Sequence, residues 1–387
     1  MSEKGYFPNL NGLRAIGAFI VLFSHFHFFR KLMGYKETQW FLIPGKVGVA
    51  LFFALSGFLI TSLLFRELEK TRTIRLKDFY IRRMLRIWPL YYLILLLGFF
   101  VMNRIGIFKV PVLSDRMYTD ITWWNILNII LIIPNFTHYY IPYTDQRWSI
   151  IDEELFYLIQ PALLRTFRNR YVLVFCFCLI VFSSEIFSGL VHVLGLDRHL
   201  SSNVVEAVSN QLEYLGCIAI GCIFSALYYK REAITKKWLF NKWTQAAIIV
   251  LILAFCAISY FVKHNELYFD LRWYSLLFAV VVLNAALNPQ TIYRLENRVL
   301  VFLGKISYGI YMYHMFCLGV SFVIARVLFQ NFWGQYVVYA ALGVGLTILV
   351  SWASYRWLES FFLRLKPHEG GKKTSATQAE TAAKATA

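Results

Sequence analysis

Ten apolar runs, most about 20 residues long and parted by clusters of Arg and Lys, limit this chain to very few kinds of fold. Read between the charge clusters, they fall at roughly 12–30, 46–65, 86–104, 153–168, 171–194, 211–229, 244–262, 272–288, 299–327 and 335–362. About 20 apolar residues is what an α-helix needs to cross the hydrocarbon core. Within that core only helices and closed barrels satisfy every backbone polar group. The expected fold is all-α, a polytopic bundle of about ten transmembrane helices. Composition agrees, with 58% hydrophobic and only 16% charged residues in 387, against roughly 25% charged in ordinary globular domains. A soluble fold could not hide so much apolar surface and still present a polar skin. Water-soluble enzymes, secreted disulfide scaffolds and disordered chains are excluded. The apolar stretch 123–133 stops before Pro134, too short to span, and reads as re-entrant or interfacial.

The excess of 39 Lys and Arg over 22 Asp and Glu gives a formal charge of +17. On a soluble protein that would raise nucleic acid as a partner. Here the basic residues collect between apolar runs, the pattern of cytoplasmic loops facing anionic lipid, and no nucleic-acid partner is expected. Arg66, Lys70, Arg72, Arg75, Lys77, Arg82, Arg83 and Arg86 lie between the second and third runs. Lys230, Arg231, Lys236, Lys237 and Lys242 lie between the sixth and seventh. Both termini are thereby placed in the cytoplasm of a multi-pass protein, although the 30–46 loop with Arg30, Lys31, Lys36 and Lys46 fits this least well. The six cysteines sit in apolar runs without His at metal-site spacing, which suits reduced packing residues and no metal. Residues 1–366 form the expected membrane domain, and the Ala/Thr/Lys-rich 367–387 a disordered cytoplasmic tail.

Inside a bilayer the informative residues are ionisable, because each is costly unless paired or wetted. Arg14 opens the first run and His25 follows eleven positions later. That is a rise of about 16 Å and three turns, so both point to one face, with His25 near mid-bilayer if Arg14 is at the rim. Such a stripe describes a channel entered from the cytoplasm. An orientation-setting Arg above a hydrogen-bonded interior His has the same spacing. Arg83 and Arg86, three apart, share a helical face and suit gripping one phosphate, whether of a phosphorylated cofactor or of anionic lipid. In Trp148-Ser149-Ile150-Ile151-Asp152-Glu153-Glu154, Ser149 and Asp152 make a capping-box pattern. Three consecutive acids exceed what capping requires, and one is expected to face a polar interior. Ser307, Tyr311 and His314 fall on one stripe of the ninth run, as packing or as chemistry.

These motifs together resemble the acyltransferase-3 group, membrane-bound O-acyltransferases that modify bacterial surface carbohydrates. The resemblance covers about residues 8–363. Asn11-Gly12-Leu13-Arg14 with ten residues before His25 is similar to the family's arginine-ten-histidine signature. Phe52-Phe53-Ala54-Leu55-Ser56-Gly57, Arg83-x-x-Arg86, the Trp148–Tyr157 segment with Glu153 at the matching acid, and Ser307–Tyr311 with His314 are similar to four further motifs. Three positions depart from the pattern: Asn11 where Asp is usual, Ala54 within the Phe-rich run, and Ser360 where Pro is common.

The resemblance implies an acyl-CoA donor, most simply acetyl-CoA, and a carbohydrate or glycolipid acceptor at a bacterial cytoplasmic membrane. It casts His25 as general base, with Glu153 and Arg14 beside it. Arg83, Arg86 and Arg14 would hold the donor phosphates, while Trp148, Tyr311 and His314 would contact the acceptor. A transporter or flippase of a lipid-linked sugar or other anionic substrate is the alternative that buried Arg, His and Glu also allow.

Overall fold

The structure, a computed structural model, describes residues 6–26, 43–102, 105, 127–128, 130–132, 143–230, 232–263 and 269–367. The regular elements among them are all helical: α1 Leu10–Ser24, α2 Gly45–Thr71, α3 Leu76–Leu96, α4 Arg147–Thr166, α5 Arg170–Val181, α6 Ser183–Val193, α7 Ser202–Lys230, α8 Glu232–Leu239, α9 Lys242–Lys263, α10 Leu271–Leu287, α11 Arg298–Lys305, α12 Ser307–Leu328, α13 Phe332–Ser354 and α14 Ser360–Arg364. Short π-helical stretches extend α3 through Leu97–Met102 and join α13 to α14 through Tyr355–Glu359. Most of the 123–133 stretch, most of the 30–46 loop and the tail beyond 367 lie outside the described residues.

The expected all-α polytopic architecture stands. Six of these helices are long and apolar enough to cross a membrane, or seven if the bent pair α5–α6 is one span. α1 and α10 are apolar but shorter, and α4 carries Asp152, Glu153 and Glu154 within its first turns. Each of the ten apolar runs has a helix, with two boundary corrections that matter for the site. The third helix begins at Leu76, ten residues before the apolar run at 86, so Arg82, Arg83 and Arg86 ride on helix rather than loop. Hydropathy marks where lipid begins, whereas a helix continues past that edge wherever its cations find partners; Arg82 pairs with Glu67 of α2 at 3.3 Å. The ninth run is two helices broken at Ile306, where Gly304 is pressed so closely on the Asn11 backbone that any Cβ would collide.

The fifth run is also broken, bending by 56° between Val181 and Ser183. A bend at membrane depth frees a carbonyl that must be satisfied within the protein. Arg272 of α10 supplies the donor, its Nη1 bonding the Val181 carbonyl at 2.7 Å and Glu185 Oε2 at 2.7 Å.

The core is built on close helix crossings at small residues, the usual means of membrane packing where apolar burial gives no drive. Gly57 of α2 lies against the Ile218 carbonyl of α7, and Gly221 of α7 against the Ala54 carbonyl of α2. One turn on, Ser62 and Ser225 hydrogen-bond between the same helices at 2.8 Å. Ala54, small where the family pattern is otherwise Phe-rich, sits in this crossing. Gly57→Val is therefore expected to force α2 and α7 apart at a cost of about 1–3 kcal/mol. Thermal unfolding of the detergent-purified protein would register it as a lowered midpoint, and an unchanged midpoint would remove the crossing from the core.

Candidate active site

Asn9 sets the start of α1 and hence the position of Arg14. Its backbone is left-handed, φ 60°, a conformation Asn tolerates better than most residues. Its side chain accepts from the Leu295 amide at 2.8 Å and donates to the Ala285 carbonyl at 3.0 Å. Gly12, one turn along, packs directly on Leu295. With α1 pinned there, Arg14 faces a cavity of about 90 Å³ among α1, α2, α3, α4 and α12, shared with Arg83, Arg86, Ser56, Glu153 and Tyr311. The spacing argument holds for α3: Arg83 and Arg86 both line the cavity, and Arg82, about 100° round the helix from Arg83, turns away to Glu67.

The charges are unbalanced. Among the described residues, Arg14, Arg83 and Arg86 make no salt bridge. The Arg83 guanidinium lies 5.4 Å from the Tyr157 ring centre, and its buried Nε has no hydrogen-bond partner among the described residues. Glu153, the carboxylate lining the cavity, accepts from Ser56 and Tyr157 instead. Three half-buried guanidiniums around one carboxylate favour an incoming anion, and forked donors suit phosphate.

The run of three acids resolves by helical geometry, since successive side chains leave α4 about 100° apart. Glu153 faces the cavity, buried Asp152 accepts from Gln211 of α7, and Glu154 accepts from the Trp88 indole at 3.0 Å. The capping-box reading of Ser149 is corrected: α4 starts at Arg147, so Ser149 is already inside the helix. Its hydroxyl is 2.6 Å from the Tyr311 hydroxyl. The Gln146 carbonyl lies within reach of both hydroxyls, at 3.0 Å from Tyr311 and 3.3 Å from Ser149, so the two share one acceptor. Trp148 does not line the cavity; its ring packs on Tyr214 at 4.7 Å and Phe53 at 6.2 Å.

The two histidines come together. His25 is the C-cap of α1, and its ring lies 4.9 Å from that of His314, the eighth residue of α12. His25 Nδ1 is 2.8 Å from the Val21 carbonyl, which can only accept, so Nδ1 carries the proton and Nε2 is the basic nitrogen. His314 is fixed the same way by the Tyr311 carbonyl at 2.6 Å, and its buried Nε2 has no partner among the described residues. Ser24 Oγ and His25 Nδ1, adjacent in sequence, lie 3.3 Å apart where α1 ends. The single tunnel expected to hold both Arg14 and His25 is also modified. Phe52 and Tyr311, whose rings are 5.8 Å apart, line the Arg14 cavity while His25 and His314 do not, and Tyr311 in turn contacts His314 at 5.9 Å. Arg14 shares its cavity with Ser307, Tyr308 and Tyr311 of α12, and His25 meets His314 of the same helix.

Sequence reasoning passed over Ser56 and Tyr157 as partners of Glu153, although both lie inside quoted motifs. It also passed over Glu359 and Lys366, which approach the arginines from the far end of the chain. Lys366, beyond the last span, has its ammonium pushed down to about 8 by burial and then by Arg86, Arg83 and Arg82. The unfolded chain holds this proton up to the ordinary value of 10.5, so the folded protein gains stability as pH rises from about 8 to 10.5. Lys366→Met is expected to be the more stable protein at pH 7 by about 1 kcal/mol, after allowing for solvent screening. That advantage should fade by pH 10 in paired melting curves, and a constant gap would place Lys366 away from the arginines.

Comparison with known proteins adds a family. The model of the family described as "Acyltransferase domain" matches residues 7–356. The chain is 29% identical over 375 residues to a protein of Staphylococcus aureus strain COL provisionally named an O-acetyltransferase, covering 92% of this chain and 57% of that protein. It is likewise 29% identical over 392 residues to O-acetyltransferase OatA of S. aureus strain NCTC 8325, covering 93% of this chain and 58% of the relative. The chain thus spans less than two thirds of the length of the curated relatives it matches. No solved structure matches it.

Proposed function

The chain belongs to the acyltransferase-domain family, and from that premise we propose that it moves a short acyl group, acetyl in the simplest case, from acyl-CoA to a hydroxyl of a cell-surface or lipid-linked carbohydrate. The observation that carries the reading is the cavity in which Arg14, Arg83 and Arg86 stand beside Glu153 without a salt bridge among the described residues. Donor phosphates lie against the guanidiniums on the cytoplasmic side of the inner membrane. The pantetheine arm extends along α1 and α12, turning Phe52 and Tyr311 aside to bring the thioester to the histidine pair. The acceptor oxygen attacks the thioester carbonyl carbon and its proton passes to His25 Nε2. The carbon–sulfur bond then breaks, and the proton leaves with the thiolate as free CoA. His314 Nε2, a buried acceptor without a partner among the described residues, takes a hydrogen bond from a second hydroxyl of the acceptor and orients the sugar.

Proximity supplies much of the acceleration, because two dilute substrates are held in line. The test is incubation of the purified protein with acetyl-CoA and a carbohydrate acceptor, reading thiol release and acceptor mass together. Acceptor-dependent thiol release with a 42 Da gain supports the reading. Uptake of a lipid-linked sugar into vesicles without thiol release would replace it with transport.

A further inference from the structure

A second hollow lies back to back with the reaction cavity. Across the α11–α12 junction, Ile306 lines the second hollow while its neighbour Ser307 lines the first. The π-helical turn divides in the same way, with Arg356 and Trp357 facing the second hollow and Glu359 approaching Arg86. This groove, about 640 Å³, runs between α11, the end of α13 and α14. Such π turns inside helices recur at functional sites.

Its chemistry is that of a membrane edge. Lys305, Arg356 and Arg364 project into it, and among the described residues none of them makes a salt bridge. The Arg356 guanidinium sits 5.9 Å from the Trp352 ring centre. Trp357 and Phe361 are 68% and 58% exposed, large apolar rings that water would not tolerate in such number. Aromatic rings at the headgroup level beside unpaired cations mark an interfacial belt, and cations there attract anionic lipid.

We infer that the groove is a binding site for an anionic glycerophospholipid of the surrounding bilayer. Lys305, Arg356 and Arg364 hold its phosphate, and its first methylenes lie on Trp357 and Phe361. Charge complementarity selects the occupant: a zwitterionic headgroup brings a cation that these three residues repel. The inference does not depend on the chemistry of the neighbouring cavity.

Native mass spectrometry of the full detergent-purified chain tests it, with phosphatidylglycerol, phosphatidylcholine and a polyprenyl phosphate offered separately and in competition. One phosphatidylglycerol should stay bound where phosphatidylcholine is lost, and raising salt should weaken the first only. Affinity should fall roughly fivefold for each cation removed in Lys305→Gln, Arg356→Gln and Arg364→Gln. Lys305→Arg should retain it. Should the triple variant not fold, the three single variants and the salt dependence of the unaltered protein carry the test. Equal retention of both glycerophospholipids, indifference to all three substitutions, or displacement by polyprenyl phosphate at equal concentration would each overturn the inference.

Discussion

Replacing His25 with alanine is expected to lower acyl transfer to the carbohydrate by roughly 10²–10⁴-fold, the range a positioned base contributes. The Val21 carbonyl fixes the proton on Nδ1, so Nε2 is the nitrogen presented for chemistry, and the contact with His314 places it inside the bundle. Alanine removes that nitrogen from the C-cap of α1, just past the helix's last residue, Ser24. The variant should therefore insert and melt like the parent while acceptor-dependent thiol release collapses. Ser24→Ala run beside it separates base from nucleophile. The Ser24 hydroxyl already donates to Val21 at 2.7 Å, and its loss should leave transfer within about threefold, well short of a base's contribution. Imidazole added to the His25→Ala protein should restore part of the rate, which no collapse of packing would allow. Unimpaired transfer by His25→Ala would end the assignment.

The fold was largely legible because lipid leaves so few solutions: apolar length alone located a helix for every run. What hydropathy could not see is where a helix outlasts its apolar stretch or breaks within one. Arg83 and Arg86 looked like loop residues for that reason, yet their three-residue spacing still predicted their common face. The break at Ile306 depends on Gly304 meeting Asn11 nearly three hundred residues away, and the bend after Val181 on a donor from Arg272. Neither pairing leaves a local trace. In the site, the arginine-to-histidine spacing put both side chains on one stripe lining one channel, whereas His25 is not among the residues that line the Arg14 cavity. It could not show where that cavity's walls lie, because they are built largely by other helices, Phe52 and Tyr311 among them. Lys366 was hidden more simply, lying just before a polar tail that composition sets apart from the membrane domain.

The Arg83→Ala, Arg86→Ala double variant is expected to raise the Michaelis constant for acetyl-CoA by about 30–100-fold while turnover at saturation falls less than about tenfold. A charged hydrogen bond contributes about 1.5–3 kcal/mol. Two of them, half-buried and partly screened, should together supply about 2–3 kcal/mol of donor binding, and every 1.4 kcal/mol is tenfold. The effect should fall on binding because the phosphates lie far from the reacting carbonyl and are held equally before and during transfer. Arg82→Ala provides the internal control. It removes a cation from the same turn of α3, but one that faces Glu67 rather than the cavity, so donor dependence should not move. Replacement of both Arg83 and Arg86 by Lys should recover part of the loss, keeping charge while giving up the fork that grips two oxygens. An unchanged Michaelis constant in the double alanine variant would return these arginines to lipid anchoring, leaving Arg14 and Lys366 to account for the donor.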